Sequence, residues 1–144
     1  MTWLGYQRPD GSNGARNYVL IIPGGIVADE ICRFVRGTRT LVTPQSPGGR
    51  PGTDRETFAR VYVGLAKNPN VASVIVNGTG SARDYPEVAS ELLAEEIRKS
   101  GKRVEMLNPD GADTITLIGK GISMAREMVW EASKIRRAPC SDSH

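Results

Sequence analysis

Four short apolar runs, separated by stretches of helical periodicity, constrain this chain more than any other feature. They are Tyr18–Ile22, Arg39–Thr43, Val71–Val76 and Arg103–Leu107, each rich in Val, Ile or Leu. Connections as long as those between them predict parallel βαβ units, because antiparallel neighbours need only a tight turn. Val71–Val76 is apolar almost without a break, as expected of a strand covered on both faces. The pattern predicts an α/β fold: a three-layer αβα sandwich on a mainly parallel, doubly wound sheet of about four strands, Rossmann- or flavodoxin-like.

The helical segments carry their own signals. The first, about Ile26 to Arg36, sets Val27, Ile31 and Phe34 on one face. The second opens on Thr53 and Glu56 in capping-box spacing, followed by Phe58, Val61 and Leu65. The third starts near Pro86, turns Val88, Leu92 and Leu93 inward, leaves Glu91, Glu95 and Lys99 in solvent and stops at Gly101. After Asp113 a stripe of Ile115, Ile118, Ile122, Ala125, Val129 and Ala132 runs toward Ile135 as a core-facing surface.

At 144 residues the chain is the size of one domain, which we expect to occupy residues 1–137, with Ala138 to His144 an unstructured tail. Charged residues make up 24% and apolar residues 39%, a globular balance that favours neither disorder nor a membrane class. The start, MTWLGYQRPD, has no secretory pattern, so a cytoplasmic location is the expectation. Cys32 and Cys140, one in a helix and one in the tail, read as reduced thiols.

The net charge of +3 is modest, and the positives of the first half are mainly arginines. Arginine in loops suits small carboxylates or phosphates, which it binds bidentately. Nucleic acid is not expected, because its partners bring a dense basic stripe with interleaved aromatics.

In an open parallel sheet, ligands bind beyond the carboxyl ends of the strands. The loops there are Pro23-Gly24-Gly25, Pro44 to Gly52 (PQSPGGRPG), Asn77 to Asp84 (NGTGSARD) and Asn108 to Asp113 (NPDGAD). Gly78, Thr79, Gly80 and Ser81 leave the central strand where a ligand can approach backbone N–H groups, with Arg83 beside them. A plain strand-to-helix turn uses the same residues. Arg50 is the anion contact of the glycine- and proline-rich loop if that loop is more than a spacer.

The glycines lack dinucleotide-fingerprint spacing. The only histidine, His144, ends the chain, and neither cysteine has a partner at zinc-site spacing. The acid/base candidates are Asp29, Glu30, Asp54, Asp84, Asp110 and Asp113, several of them in helix-cap or first-turn positions.

Residues Gly5–Pro23, GYQRPDGSNGARNYVLIIP, resemble the G-Y-x-R-x-D-G-x-x-G-x-R-N-y segment that opens the second domain of altronate and galactarate dehydratases. LAKNPNVASVIVNGTG and ELLAEEIRKSGK continue the likeness, which covers about Leu4 to Arg136. The resemblance implies a share in removing water from an acidic sugar, an aldonate or aldarate, and makes Arg8, Asp10, Arg16 and Asn17 a substrate-facing loop. It also implies dependence on a divalent metal, iron or manganese, in multidomain enzymes.

Relatives carry His and Cys after the second strand and Cys after the third. Here TPQSPGGRPG and Gly80-Ser81 stand in those places. The expectation is therefore a chain with no cofactor of its own, joined to a partner subunit that brings the metal, with self-association also open. Two other readings are a non-catalytic sugar-acid-binding or regulatory module and an unrelated nucleotide-binding α/β protein.

Overall fold

The computed structural model describes residues 1–41, 52–78 and 88–141. In chain order the elements are β1 (Thr2–Gln7), β2 (Asn13–Gly14), β3 (Tyr18–Ile22), α1 (Ile26–Phe34), β4 (Thr38–Thr40), α2 (Gly52–Lys67), β5 (Val71–Asn77), α3 (Ser90–Arg98), β6 (Arg103–Leu107), α4 (Thr114–Ser133) and β7 (Ala138–Ser141).

Strands β3 to β6 form a parallel sheet in the order β4-β3-β5-β6. One core lies under α1 and α4, where Val19, Ile21, Ile75 and Leu107 meet Ala28, Ile31, Ala125 and Met128. The other lies under α2 and α3, where Leu20, Ile22, Val74 and Val76 meet Tyr62, Ala66, Leu93 and Ile97. The sheet is thus covered on both faces, which is why its central strand is apolar at successive positions. The chain winds outward from β3 to β4 and then back across to β5, so the order of strands switches direction between β3 and β5.

The expected helix faces hold at Val27, Ile31, Val88, Leu93, Ala125 and Ala132, which are buried, and differ at a few large side chains. Phe34, Val61, Leu92 and Ile115 are exposed, while Ala28, Tyr62, Ala66, Ala94, Gly121 and Met128 face the core. The cause is the preference of close helix packing for small residues. A Cβ on Gly121 would lie 2.3 Å from Ile31 Cδ1, so Ile31 occupies the space that a side chain on α4 would need. Ile118, Ile122 and Val129 flank this contact half-buried.

A second sheet, in the order β2-β1-β7, is antiparallel. Its last strand corrects the expectation of an unstructured tail: Ala138–Ser141 pairs with Thr2–Gly5, setting Cys140 opposite Trp3. Residues 142–144 lie outside the described residues. Both cysteines are free, Cys32 half-buried and Cys140 buried. Among the described residues no helix is long and apolar enough to cross a membrane.

Candidate functional site

The expected site residues fall at two opposite edges of the parallel sheet. Arg8, Asp10, Arg16 and Asn17 precede β3 and lie at the amino ends of the strands. Gly78 follows β5 at the carboxyl ends. A five-residue strand such as β3 spans about 17 Å, so one small acid cannot touch both groups. Arg50, Thr79, Gly80, Ser81, Arg83 and Asp84 lie outside the described residues.

At the amino edge Arg8 is only 6% exposed. Its Nε donates to Pro69 O at 2.7 Å, Nη1 to Asn17 Oδ1 at 2.8 Å and Nη2 to Arg16 O at 2.8 Å. Asn17 Nδ2 donates to Ala132 O at 2.7 Å, tying the loop to the end of α4. Arg16 donates its backbone N–H to Asn70 Oδ1, and its side chain is exposed. Asp10 accepts from Ser12 N at 2.9 Å and Ser12 Oγ at 2.6 Å, and these bonds hold its carboxyl below the usual range. A Cβ on Gly14 would come within 2.0 Å of Pro69 O, so only glycine lets the loop lie against the α2–β5 turn. Arg8, Gly14 and Asn17 thus fasten the opening loop to the α2–β5 turn and to the end of α4.

Lys102 joins them. Buried beside Arg8, it donates to Ala66 O at 2.9 Å and Asn68 O at 2.7 Å, so its ammonium closes the carboxyl end of α2. Burial, and then the Arg8 charge, lowers its pKa to about 8. A cavity of about 250 Å³ opens here, lined among others by Arg8, Ser73, Lys102, Arg103 and Met128. Ser73 Oγ is buried without a hydrogen-bond partner. Arg103 is held by Glu105, Glu127 and Glu131, which raise its pKa.

The carboxyl edge is built around the switch point between β3 and β5. Asn77, the last residue of β5, is buried and donates from Nδ2 to Pro23 O at 3.3 Å, bridging the two strand ends. The Ile22–Pro23 peptide is cis. A Cβ on Gly24 would lie 1.8 Å from Leu41 O, which fixes glycine there. Gly25, at φ 146°, precedes α1 and has no side chain to cap it. The first-turn N–H groups of α1 therefore face the edge, with the positive end of the helix dipole behind them.

Across the crevice Gly78 N donates to Leu107 O at 3.0 Å, and a Cβ on Gly78 would meet Asn108 Oδ1 at 2.7 Å. The nearby acids have other roles. Asp113 caps α4 through Thr116 N at 2.7 Å, which lowers its pKa, and Asp110 pairs with Lys120 at 3.5 Å. Among the described residues no three His, Cys, Asp or Glu side chains converge to hold a metal.

This arrangement offers a carboxylate backbone donors and a helix dipole, with small residues permitting close approach. Sequence reasoning placed Asn77 in a ligand-edge loop without its bridge to Pro23, and missed Lys102. The first reads as the opening of a loop after an apolar run, and the second as an ordinary surface lysine after a helix stop.

The chain matches the family described as D-galactarate dehydratase/altronate hydrolase, second domain, over residues 5–133. It is 33% identical over 148 aligned positions to the (2R)-sulfolactate sulfo-lyase subunit beta of Chromohalobacter salexigens, which covers 99% of this chain and 36% of that protein. It is 27% identical over 146 positions to the altronate dehydratase of Bacillus subtilis, covering 92% of this chain and 28% of that one. The chain thus spans about a third of the length of the curated relatives it matches. No solved structure matches it. With its opening signature, parallel sheet and matched span in agreement, the chain belongs to the family of the second domain of D-galactarate dehydratase and altronate hydrolase.

Proposed function

We propose that this chain is one unit of a lyase that eliminates water from a hydroxy acid such as an aldonate or aldarate, working with a partner that carries the metal and the acid and base groups. The observation that carries the reading is the family match over residues 5–133. The open first turn of α1 at the β3–β5 switch point supports it, because backbone N–H groups at a helix start suit the carboxylate that every such substrate bears.

In the elimination a base takes the proton beside the carboxylate while the neighbouring hydroxyl leaves as water. The resulting enol tautomerises to a 2-keto-3-deoxy acid. This chain's part is to fix the carboxylate through the first turn of α1, where Gly25 leaves open space in front of the helix. Iron or manganese belongs to the assembled enzyme, and the described residues do not fit a site for it. Arg8 and Asn17 support the opening loop and do not grip the substrate.

A second reading follows from the sulfo-lyase relative, which matches almost the whole chain. Sulfolactate and altronate both carry a carboxylate next to a hydroxyl, so the same backbone site would serve a lyase with a sulfonate leaving group. Membership in the family removes the unrelated nucleotide-binding alternative.

The test combines this chain with the polypeptide from its own genome that supplies the rest of a family enzyme, and adds ferrous iron or manganese. Formation of 2-keto acid from altronate or galactarate is expected only when both polypeptides are present. Sulfite release from (2R)-sulfolactate alone would select the second reading. No product from any of these substrates, with no thermal shift of this chain by any of them, would leave neither reading standing.

A further inference from the structure

The cavity of about 250 Å³ at the amino edge is walled by described residues throughout and has no part in the proposed elimination. It lies where β5 and β6 begin and α4 ends. Pro9, Ala72, Met128, Ala132 and Ile135 make much of its wall apolar.

Two cations line the same space. Arg8 and Lys102 are only 6% and 5% exposed, and among the described residues neither forms an ion pair. Their bonds to carbonyl and amide oxygens leave two guanidinium N–H groups and one ammonium N–H uncommitted among those residues. Asp10, whose charge both of them feel, is bonded to Ser12. Arg103 and Glu131 complete the charged lining and are bonded to each other. Buried charges are ordinarily matched, and these two lack a bonded counter-ion.

The surroundings favour the same sign. The segments at this edge, residues 8–17, 35–39, 67–70, 99–103 and 134–137, hold eleven Lys or Arg and one acid, Asp10. Cations at helix ends offset the helix dipoles, but an excess this large leaves the cavity mouth in a positive field. In the wall, Ser73 Oγ finds no hydrogen-bond partner among the described residues, and such a hydroxyl stands to gain one when the space is filled.

We propose that this cavity binds a small aliphatic carboxylic acid, its carboxylate against Arg8 and Lys102 and its hydrocarbon body along Ala72, Met128, Ala132 and Ile135. At roughly 30 Å³ per water the volume takes about eight water-sized units, so an acid the size of hexanoate fits. Inorganic phosphate would leave the apolar wall bare. The polyhydroxy acids of the proposed reaction would strand hydroxyls against it, so this site is distinct from the first turn of α1 and independent of the lyase reading.

The experiment titrates hexanoate into the full chain by isothermal calorimetry, with inorganic phosphate and hexanol as comparators. Hexanoate should bind saturably and raise the melting temperature. Phosphate lacks the body and hexanol the charge, and each should bind at least about 10-fold more weakly. Amides at 72–74 and 101–103 should gain exchange protection.

Lys102 adds a signature that a purely structural role would not give. Burial, and then Arg8, holds its pKa at about 8 against an opposing pull from Asp10, and a carboxylate alongside would raise it again. Binding near pH 8.5 should therefore take up a proton, read as a buffer-dependent enthalpy, and affinity should fall about 10-fold between about pH 7 and 9.5. Lys102→Met should abolish both effects and weaken binding at pH 7. Ser73→Ala removes only a hydroxyl, so it should keep the melting temperature of the free chain and weaken hexanoate about 3-fold, which keeps the test decisive if Lys102→Met does not fold.

Absence of saturable binding would mean that the cavity takes water only, and overturns the proposal. Binding that phosphate or hexanol matches does the same, as does binding with neither proton uptake nor a response to Ser73→Ala. Protection at 23–28 instead would put the acid at the first turn of α1 and overturn the amino-edge site.

Discussion

Arg8 donates to three acceptors, two of them main-chain carbonyls that have few alternatives once buried. Removing the guanidinium leaves Pro69 O, Arg16 O and the Asn17 amide oxygen short of a donor, and stranded polar groups cost more than the bond itself was worth. Arg8→Met keeps most of the stem's packing and should destabilise the fold by about 3 kcal/mol, read as a lower urea midpoint. A change below about 0.5 kcal/mol, the range of ordinary surface positions, would mean that the network does not hold the loop.

Lys102 gives a pH-dependent counterpart. Its folded pKa is about 8 against an ordinary 10.5, so between those values the unfolded chain binds more protons than the folded one. Stability then rises with pH across that window, and below about 8 the penalty for burying the charge is present in full. Wild type should gain on the order of 1 kcal/mol relative to Lys102→Met between about pH 7.5 and 9.5. Parallel urea-midpoint profiles for the two proteins would refute the burial of that ammonium. Neither role was legible in the sequence. A composition rich in arginine says that anions are welcome, yet the acceptors of Arg8 are carbonyls, one of them 61 positions away.

The elements differ in how far local sequence determines them. Strands β3 and β6 run over the very residues expected from their apolar runs, and β5 extends one residue further to Asn77. Burial on both faces leaves no polar alternation to blur β3 and β5, whereas β6, at the sheet edge, carries the half-buried Arg103 and Glu105. The helix faces were harder to read in part, because large side chains draw attention while Ala28 and Gly121 make close contacts. The β1–β7 pair was invisible, since Thr2 and Ser141 pair from opposite ends of the sequence, beyond any local pattern. APCS alone has little strand character.

That pairing can be tested directly. Ending the chain at Arg137 removes the partner of Thr2–Gly5 and uncovers Trp3, whose ring approaches Gly5 beside Cys140. In a Trp130→Phe background, where Trp3 is the remaining tryptophan, emission should shift to the red while the far-ultraviolet spectrum of the parallel sheet and helices persists. Unchanged emission would mean that β1 is held without β7.

At the scale of the whole molecule, architecture and proposed chemistry occupy opposite ends of the same strands. The amino edge is fastened by Arg8, Asn17, Lys102 and Gly14, whereas at the carboxyl edge Gly24 and Gly78 let neighbouring backbone and side chain pack closely and Gly25 faces open space before α1. Such separation predicts that changes at the two ends have different kinetic signatures in the assembled enzyme. Arg16→Ala removes an exposed positive charge about one strand length, roughly 17 Å, from the first turn of α1. At that range in water its pull on a substrate carboxylate is largely screened, so KM for the hydroxy acid should change less than about 2-fold, a difference under about 0.5 kcal/mol. Gly24→Ala drives a Cβ into Leu41 O, forcing apart the β3 and β4 ends that set the approach to α1. It should raise KM at least about 10-fold, while a mass measurement shows the complex still assembled. If Arg16→Ala produces the larger rise, the carboxylate is held at the amino edge after all, and the opening signature regains the substrate-facing role that its resemblance implied.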